Sequence, residues 1–161
     1  MKFYTLRDLY LHELRDLFSS ANQIVDALTD MNEGTTSADL REFFTDHLDE
    51  AQGQLAAVRA ILEPLGESSE GGFSEGTQGA IDEAMEWAEE NAESAVLDAG
   101  LVAALQRLIH SEIASLGCAR THAKVLGETS AHKLLQDCVD QAEATDKRLT
   151  LLAETLNQEA V

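Results

Sequence analysis

Proline is almost missing: Pro64 is the only one in 161 residues. Proline interrupts a helix by removing an N–H donor and clashing with the preceding turn. A chain with one proline, rich in Ala, Leu, Glu and Gln, is therefore expected to be helical nearly throughout. No apolar run approaches the roughly 18 residues of a membrane-spanning helix, which excludes that class. Cysteine is scarce too. Cys118 and Cys138 are too few for a disulfide framework and are expected as small buried hydrophobes within helices. Basic residues are few: 11 against 30 acids, for a formal net charge of −19. Only Lys2, Lys124, Lys133 and Lys147 are lysines. Such a surface repels nucleic acid and anionic membranes. It attracts cations diffusely and suits a protein that stays soluble in high salt.

What is present bounds the fold. A hydrophobic fraction of 44% supplies a real core, and the length argues for one domain over residues 1–161. The opening stretch "MKFYTLRDLYLHELRDLF" is broken by Arg7, Asp8, Glu13, Arg15 and Asp16. It does not read as a signal peptide, so a cytoplasmic location is expected.

Apolar residues recur at three-and-four spacing in four long segments. The first opens at Thr5, with Asp8 as its capping partner. It carries Leu9, Tyr10, Leu14, Leu17, Phe18, Ala21, Ile24 and Leu28, and "NEGTTS" at residues 32–37 breaks it. The second starts near Ser37, carries Leu40, Phe44, Leu48, Ala51, Leu55, Val58 and Leu62, and ends around Pro64 and Gly66. "GESSEGGFSEG" at residues 66–76 reads as solvated loop. A shorter helix is expected over about Thr77 to Asn91, with Ile81, Ala84, Met85 and Ala88 on one side. The fourth runs from about Glu93 to Leu126, with Gly127 as its stop. The fifth begins near Thr129 or Ser130 and continues through Leu156. Short loops make the first two long helices one antiparallel hairpin and the last two another. Two hairpins joined by a long crossover form the ferritin-like version of the four-helix bundle.

Polar residues that interrupt the stripes are the candidate site. These are Asn22, Asp49, Gln52, Glu112, Thr145 and Asp146. Counting from each loop, Asn22 and Asp49 centre at about residue 35, and Glu112 and Thr145 at about residue 128. Each hairpin thus brings a polar pair to one level. A buried carboxylate at Glu112 needs a partner, a proton or a metal. His12, His47, His110, His122 and His132 share no spacing that would put three on one zinc ion.

The stretches "LHELRDLFSSANQI", "HLDEAQGQL", "LDAGLVAALQRLIHSEIASLG" and "EATDKRLTLLAETL" resemble the bacterial YciE/YciF stress-protein family, a branch of the ferritin-like superfamily. The likeness covers about residues 5 to 156. It implies a five-helix ferritin-like fold, a homodimer, an association with stress and a place for two metal ions between the long helices. It also implies ligand Glu where this chain has Asn22, Ile109 and Ala142, Glu at the position of Asp49, and His or Glu at that of Gln52. Only Asp49 and Glu112 keep a carboxylate among the positions so matched. Two divalent ions need several deprotonated ligands, so the preferred reading is a bundle that has lost its di-metal centre. No metal or other cofactor is expected, and the role is structural or binding, with no small-molecule ligand identified. One alternative is a di-iron or mononuclear metal-dependent oxidoreductase or iron-handling protein, with iron as its cofactor and a rearranged site drawn from Asp49, Glu50, Glu83, Glu112, Asp140, Glu143 and Asp146. Another is a site completed across a dimer interface.

Overall fold

The computed structural model describes residues 2–69, 72–90 and 94–161, with the side chains of residues 88–90 excepted. Asn91 and Glu93, named above, lie outside what is described, as does the side chain of Ala88. Among the described residues five α-helices follow in order: α1 Leu6–Gly34, α2 Ala38–Leu62, α3 Glu75–Glu90, α4 Ala95–Leu126 and α5 Thr129–Glu159. A single 3₁₀ turn, Glu63–Leu65, closes α2. The α1–α2 and α4–α5 hairpins pack side by side, α1 against α4 and α2 against α5, while α3 lies across α1 and α4. This is the expected ferritin-like four-helix bundle, with its fifth, short helix in the crossover. None of the described helices is long and apolar enough to cross a membrane.

The helix ends follow from local chemistry. Thr5 and Asp8 form a reciprocal capping box. Ser37 and Ser94 cap α2 and α4 by accepting from the N–H groups of Leu40 and Leu97. Gly127 takes φ 77°, in the left-handed region. There its N–H reaches the Lys124 carbonyl at 3.3 Å, and the Glu128 N–H reaches that of Ala123 at 2.9 Å, the paired bonds of a Schellman end. Gly66, at φ 70°, ends the 3₁₀ turn in the same conformation.

Three expectations need correction. α1 continues through residues 32–34, because Met31, 1% exposed, anchors its last turn in the core. α3 begins at Glu75, two residues early, and Ser74 at the end of the supposed loop is buried. Arg15 holds that loop by pairing with Glu67 and donating to the Ser68 carbonyl. Cys118 is exposed and Cys138 is half-buried. Cys118 falls between the inward positions Leu116 and Ala119, so helical phase turns it outward.

The core is in two parts. One holds Ile24, Leu28, Phe43, Phe44, Ala51, Leu101, Leu105, Ile109, Leu149 and Leu156 among others. The other holds Tyr10, Leu14, Leu17, Val58, Leu62, Leu116, Leu135 and Val139 among others. Along α2 the division falls between Ala51 and Val58, along α4 between Ile109 and Leu116, and along α5 between Val139 and Leu149. Polar side chains fill that gap.

Candidate functional site

Three helices supply the polar layer. α2 contributes His47 (5% exposed), Glu50 and Gln54, α4 contributes Glu112 (4% exposed), and α5 contributes Thr145. On α2, residues 47, 51, 54 and 58 fall on one line by the roughly 100° step of a helix. Its core flank explains why so polar a run is buried.

His47 lies between two carboxylates. Its Nδ1 is 3.4 Å from Glu50 Oε2, and its Nε2 is 4.0 Å from Glu112 Oε2. Thr145 donates to Glu50 Oε2 at 2.5 Å and also lies 3.1 Å from the Gln141 carbonyl. Arg148 approaches Glu50 Oε1 at 3.6 Å from the solvent side, pairs with Asp46 and sits 5.7 Å over the Phe43 ring. Glu112 has no such neighbours. Gln54 faces it, yet the amide nitrogen makes no well-formed hydrogen bond, and neither does His47 Nε2.

The two glutamates are thereby driven apart. Burial pushes Glu50 up, but hydrogen bonds from His47 and Thr145 and the charges of His47 and Arg148 outweigh it, so its carboxyl lies below the ordinary value. Burial dominates at Glu112 and holds its carboxyl above the ordinary value. Glu50 adds to that rise, while His47 and Gln54 oppose it. Burial also pushes the Cys138 thiol up to about 11, aided by Asp137 and Glu112, which makes it a poor nucleophile or thiolate ligand.

These shifts fix a pH dependence. Glu50 contributes stability that is present above pH 4.5, its ordinary value, and is lost as pH falls through its folded pKa. Glu112 does the opposite. The folded chain holds a proton that the unfolded chain releases, so stability falls as pH rises from 4.5 toward the folded pKa. Glu112→Gln should therefore stabilise the protein at pH 8 by about 1–3 kcal/mol, the scale of an unmet buried polar group. It should have little effect at pH 4. Thermal melts at both values check this, and a larger gain at pH 4 would contradict the assignment.

The sequence-predicted residues divide sharply. Glu112 and Thr145 are buried in the layer. Asp146 lies at its edge, with Oδ1 3.3 Å from the Nε2 of the exposed His110. Asn22, Asp49 and Gln52 are exposed, which corrects their placement in the interior. Asp49 and Gln52 lie about 200° and 140° around the helix from His47, and Asn22 about 140° from the centre of α1's buried face. Asn22 instead donates to the Phe18 carbonyl of its own helix at 3.0 Å. Leu48 and Leu55 are half-buried and sit on the flank of α2's buried face, so Gln52, one turn from each, faces outward. His47 and Gln54 are absent from the sequence-derived layer, and Glu50 entered only as a ligand of the alternative rearranged site, although all three are polar letters of "HLDEAQGQ". The adjacent Phe43–Phe44 pair was the signal for the true phase.

A two-metal centre does not fit these residues. Ala51, Ile109 and Ala142 offer no donor atoms. Glu50 is engaged by His47, Thr145 and Arg148. Among the described residues, no three His, Cys, Asp or Glu side chains are grouped to hold an ion. The cavity bounded by His47, Glu50, Ala51, Gln54, Glu112, Cys138, Gln141 and Ala142 measures about 10 Å³, close to the minimum for one water.

The bundle and its mid-height polar layer define a ferritin-like protein of the YciE/YciF stress-protein class. The chain belongs to the family described as Domain of unknown function (DUF892), which it matches over residues 5–161. It is 35% identical to Protein YciF of Escherichia coli over 159 residues, covering 95% of this chain and 93% of that one. The crystal structure of the E. coli stress protein YciF superposes with a TM-score of 0.93 at 33% identity, covering 98% of this chain and 99% of the other. YcfI of Rhodopseudomonas palustris, described provisionally as a structural protein, gives a TM-score of 0.86 at 36% identity. That match covers 91% of this chain and 93% of its own.

Proposed function

We propose that this chain is a ferritin-like stress-associated protein whose di-metal centre has been lost, acting as a non-catalytic structural or binding protein. The observation that carries the reading is the layer between the two cores. One histidine, two glutamates of opposite pKa shift, an amide and a hydroxyl occupy it. Alanine and isoleucine stand where further ligands would be needed. The layer serves as an internal hydrogen-bonded and charge-paired plug that fixes helix register; replacement by apolar residues would remove that specificity. A cytoplasmic homodimer free of nucleic acid and membrane belongs to the same reading. The dimer is carried over from the sequence resemblance, and the net charge of −19 disfavours polyanionic surfaces while suiting a high-salt medium.

Purification without chelator, aerobic addition of Fe(II) and elemental analysis test it. The expected result is no retained iron and no oxo-bridge absorption. A pair of irons per chain with that absorption would overturn the reading.

A further inference from the structure

Away from the polar layer, α1, α4 and the start of α3 enclose a cleft of about 460 Å³. His12, Asp16 and Ser20 line it from α1, Ser111 and Ser115 from α4, and Phe73 through Thr77 from the crossover. Its wall is fixed in place. Gln23 grips Ser74 by accepting from its N–H and donating to its carbonyl, both at 3.3 Å. Gly72 packs so closely on α1 that a Cβ there would lie 2.5 Å from the Arg15 carbonyl oxygen.

The buried hydroxyls of this wall have a defined polarity. Ser74 donates to Asp16 Oδ2 at 3.3 Å, and Thr77 donates to Ser74 at 3.0 Å. The 2.8 Å contact between Ser20 and Thr77 must then be donated by Ser20, since Thr77 has only one proton to give. Every hydroxyl proton of the chain Ser20→Thr77→Ser74→Asp16 is thus committed toward the carboxylate. What these oxygens have left is lone pairs. Ser20, Ser74 and Thr77 are 8%, 7% and 5% exposed, so this is a built surface and not a solvated edge. Phe73, 57% exposed, adds an aromatic face at the rim, and Glu75 a second carboxylate. The N-terminus of α3 opposes a cation with about half a positive charge. Asp16 and Glu75 together outweigh it.

We propose that this cleft binds a small primary ammonium ion, an aliphatic mono- or diamine. The Ser20–Thr77–Ser74 face, its hydroxyl protons all committed, takes the N–H donors, the carboxylates take the charge, and Phe73 covers the cation by its ring face. An anion meets carboxylates, and a neutral polyol finds no free hydroxyl proton on the Ser20–Thr77–Ser74 wall. The proposal does not depend on the fate of the metal centre.

The test is a titration of the whole protein with 1,4-diaminobutane, followed by calorimetry and by amide NMR shifts at 150 mM and 1 M NaCl. Saturable one-site binding is expected, with shifts at Leu17, Ser20, Phe73–Thr77, Ser111 and Ser115. Asp16→Asn should weaken it by at least about tenfold, the scale of one charge-assisted hydrogen bond. Phe73→Ala should weaken it by about three- to fivefold. Asp16→Asn can also loosen the loop, so Ser111→Leu, which obstructs the cleft from α4 without touching the hydroxyl chain, serves as the second variant and should also reduce affinity. Tetramethylammonium, which has the charge but no N–H, should bind markedly more weakly. Equal binding of the two cations, shifts spread over the whole acidic surface, preferential binding of glucose or acetate, or indifference to Ser111→Leu would each overturn the proposal.

Discussion

Asp98→Ala should cost about 3–5 kcal/mol, the range seen when a buried, multiply bonded charged group loses its role. Asp98 is 2% exposed and sits in the first turn of α4. One carboxylate oxygen accepts from the Thr35 hydroxyl and from the Thr36 N–H at 3.1 Å. The other accepts from the Thr36 hydroxyl at 2.6 Å and the Ser37 N–H at 3.1 Å. It is therefore the acceptor for the whole α1–α2 turn, and it ties one hairpin to the other. Thr35 is itself 1% exposed, so removal of the carboxylate orphans donors that water cannot readily reach. At about 2–4 °C per kcal/mol for a chain of this size, the melting temperature should fall by about 6–20 °C. Urea unfolding should show the midpoint moving with the slope unchanged. Hydrogen exchange should show the 35–37 amides losing protection first. A loss under 1 kcal/mol would mean that the turn is held by other contacts.

Ile109→Glu is the second large effect. Ile109 is fully buried, one turn before Glu112 on the same face of α4, and family resemblance puts a ligand glutamate at this position. Without a metal, the new carboxyl enters an apolar core beside one already held above its ordinary pKa. About 3–5 kcal/mol should be lost at pH 7. Burial raises the pKa of the introduced group, so its penalty grows with pH above the ordinary glutamate value and shrinks toward pH 4.5. Added Mn(II) or Fe(II) should not restore stability, because Glu50 is already tied to Thr145, His47 and Arg148. Thermal melts with metal and with chelator decide the matter. A metal-dependent rise of several degrees would show a binding site one ligand short, and the lost-centre reading would fail.

Both predictions rest on residues that the sequence reveals unequally. Glu112 and Thr145 could be picked out because each interrupts a long apolar stripe. Asp98 could not, since an acid in the first turn of a helix is ordinary chemistry and its partners lie about 60 positions away. His47, Glu50 and Gln54 were present in a recognisable motif, but their inward phase was not. On an amphipathic helix with leucines on the flank, a shift of one or two residues changes which polar side chains face in, and periodicity alone resolves that angle poorly. The hydroxyl chain at the cleft between α1, α3 and α4 joins residues from two separated segments and has no linear signature at all.

By itself, the sequence determined the helical class, the two hairpins, the long crossover and most helix ends. These depend on local matters: capping side chains, left-handed glycines, stripe spacing and loop length. The tertiary structure alone decided which polar residues meet. It turned Asn22, Asp49 and Gln52 to solvent and set His47 between Glu50 and Glu112. Burial and partner choice are properties of packed surfaces, and a part-turn rotation of about 100–200° about the helix axis exchanges a solvated amide for a buried charge.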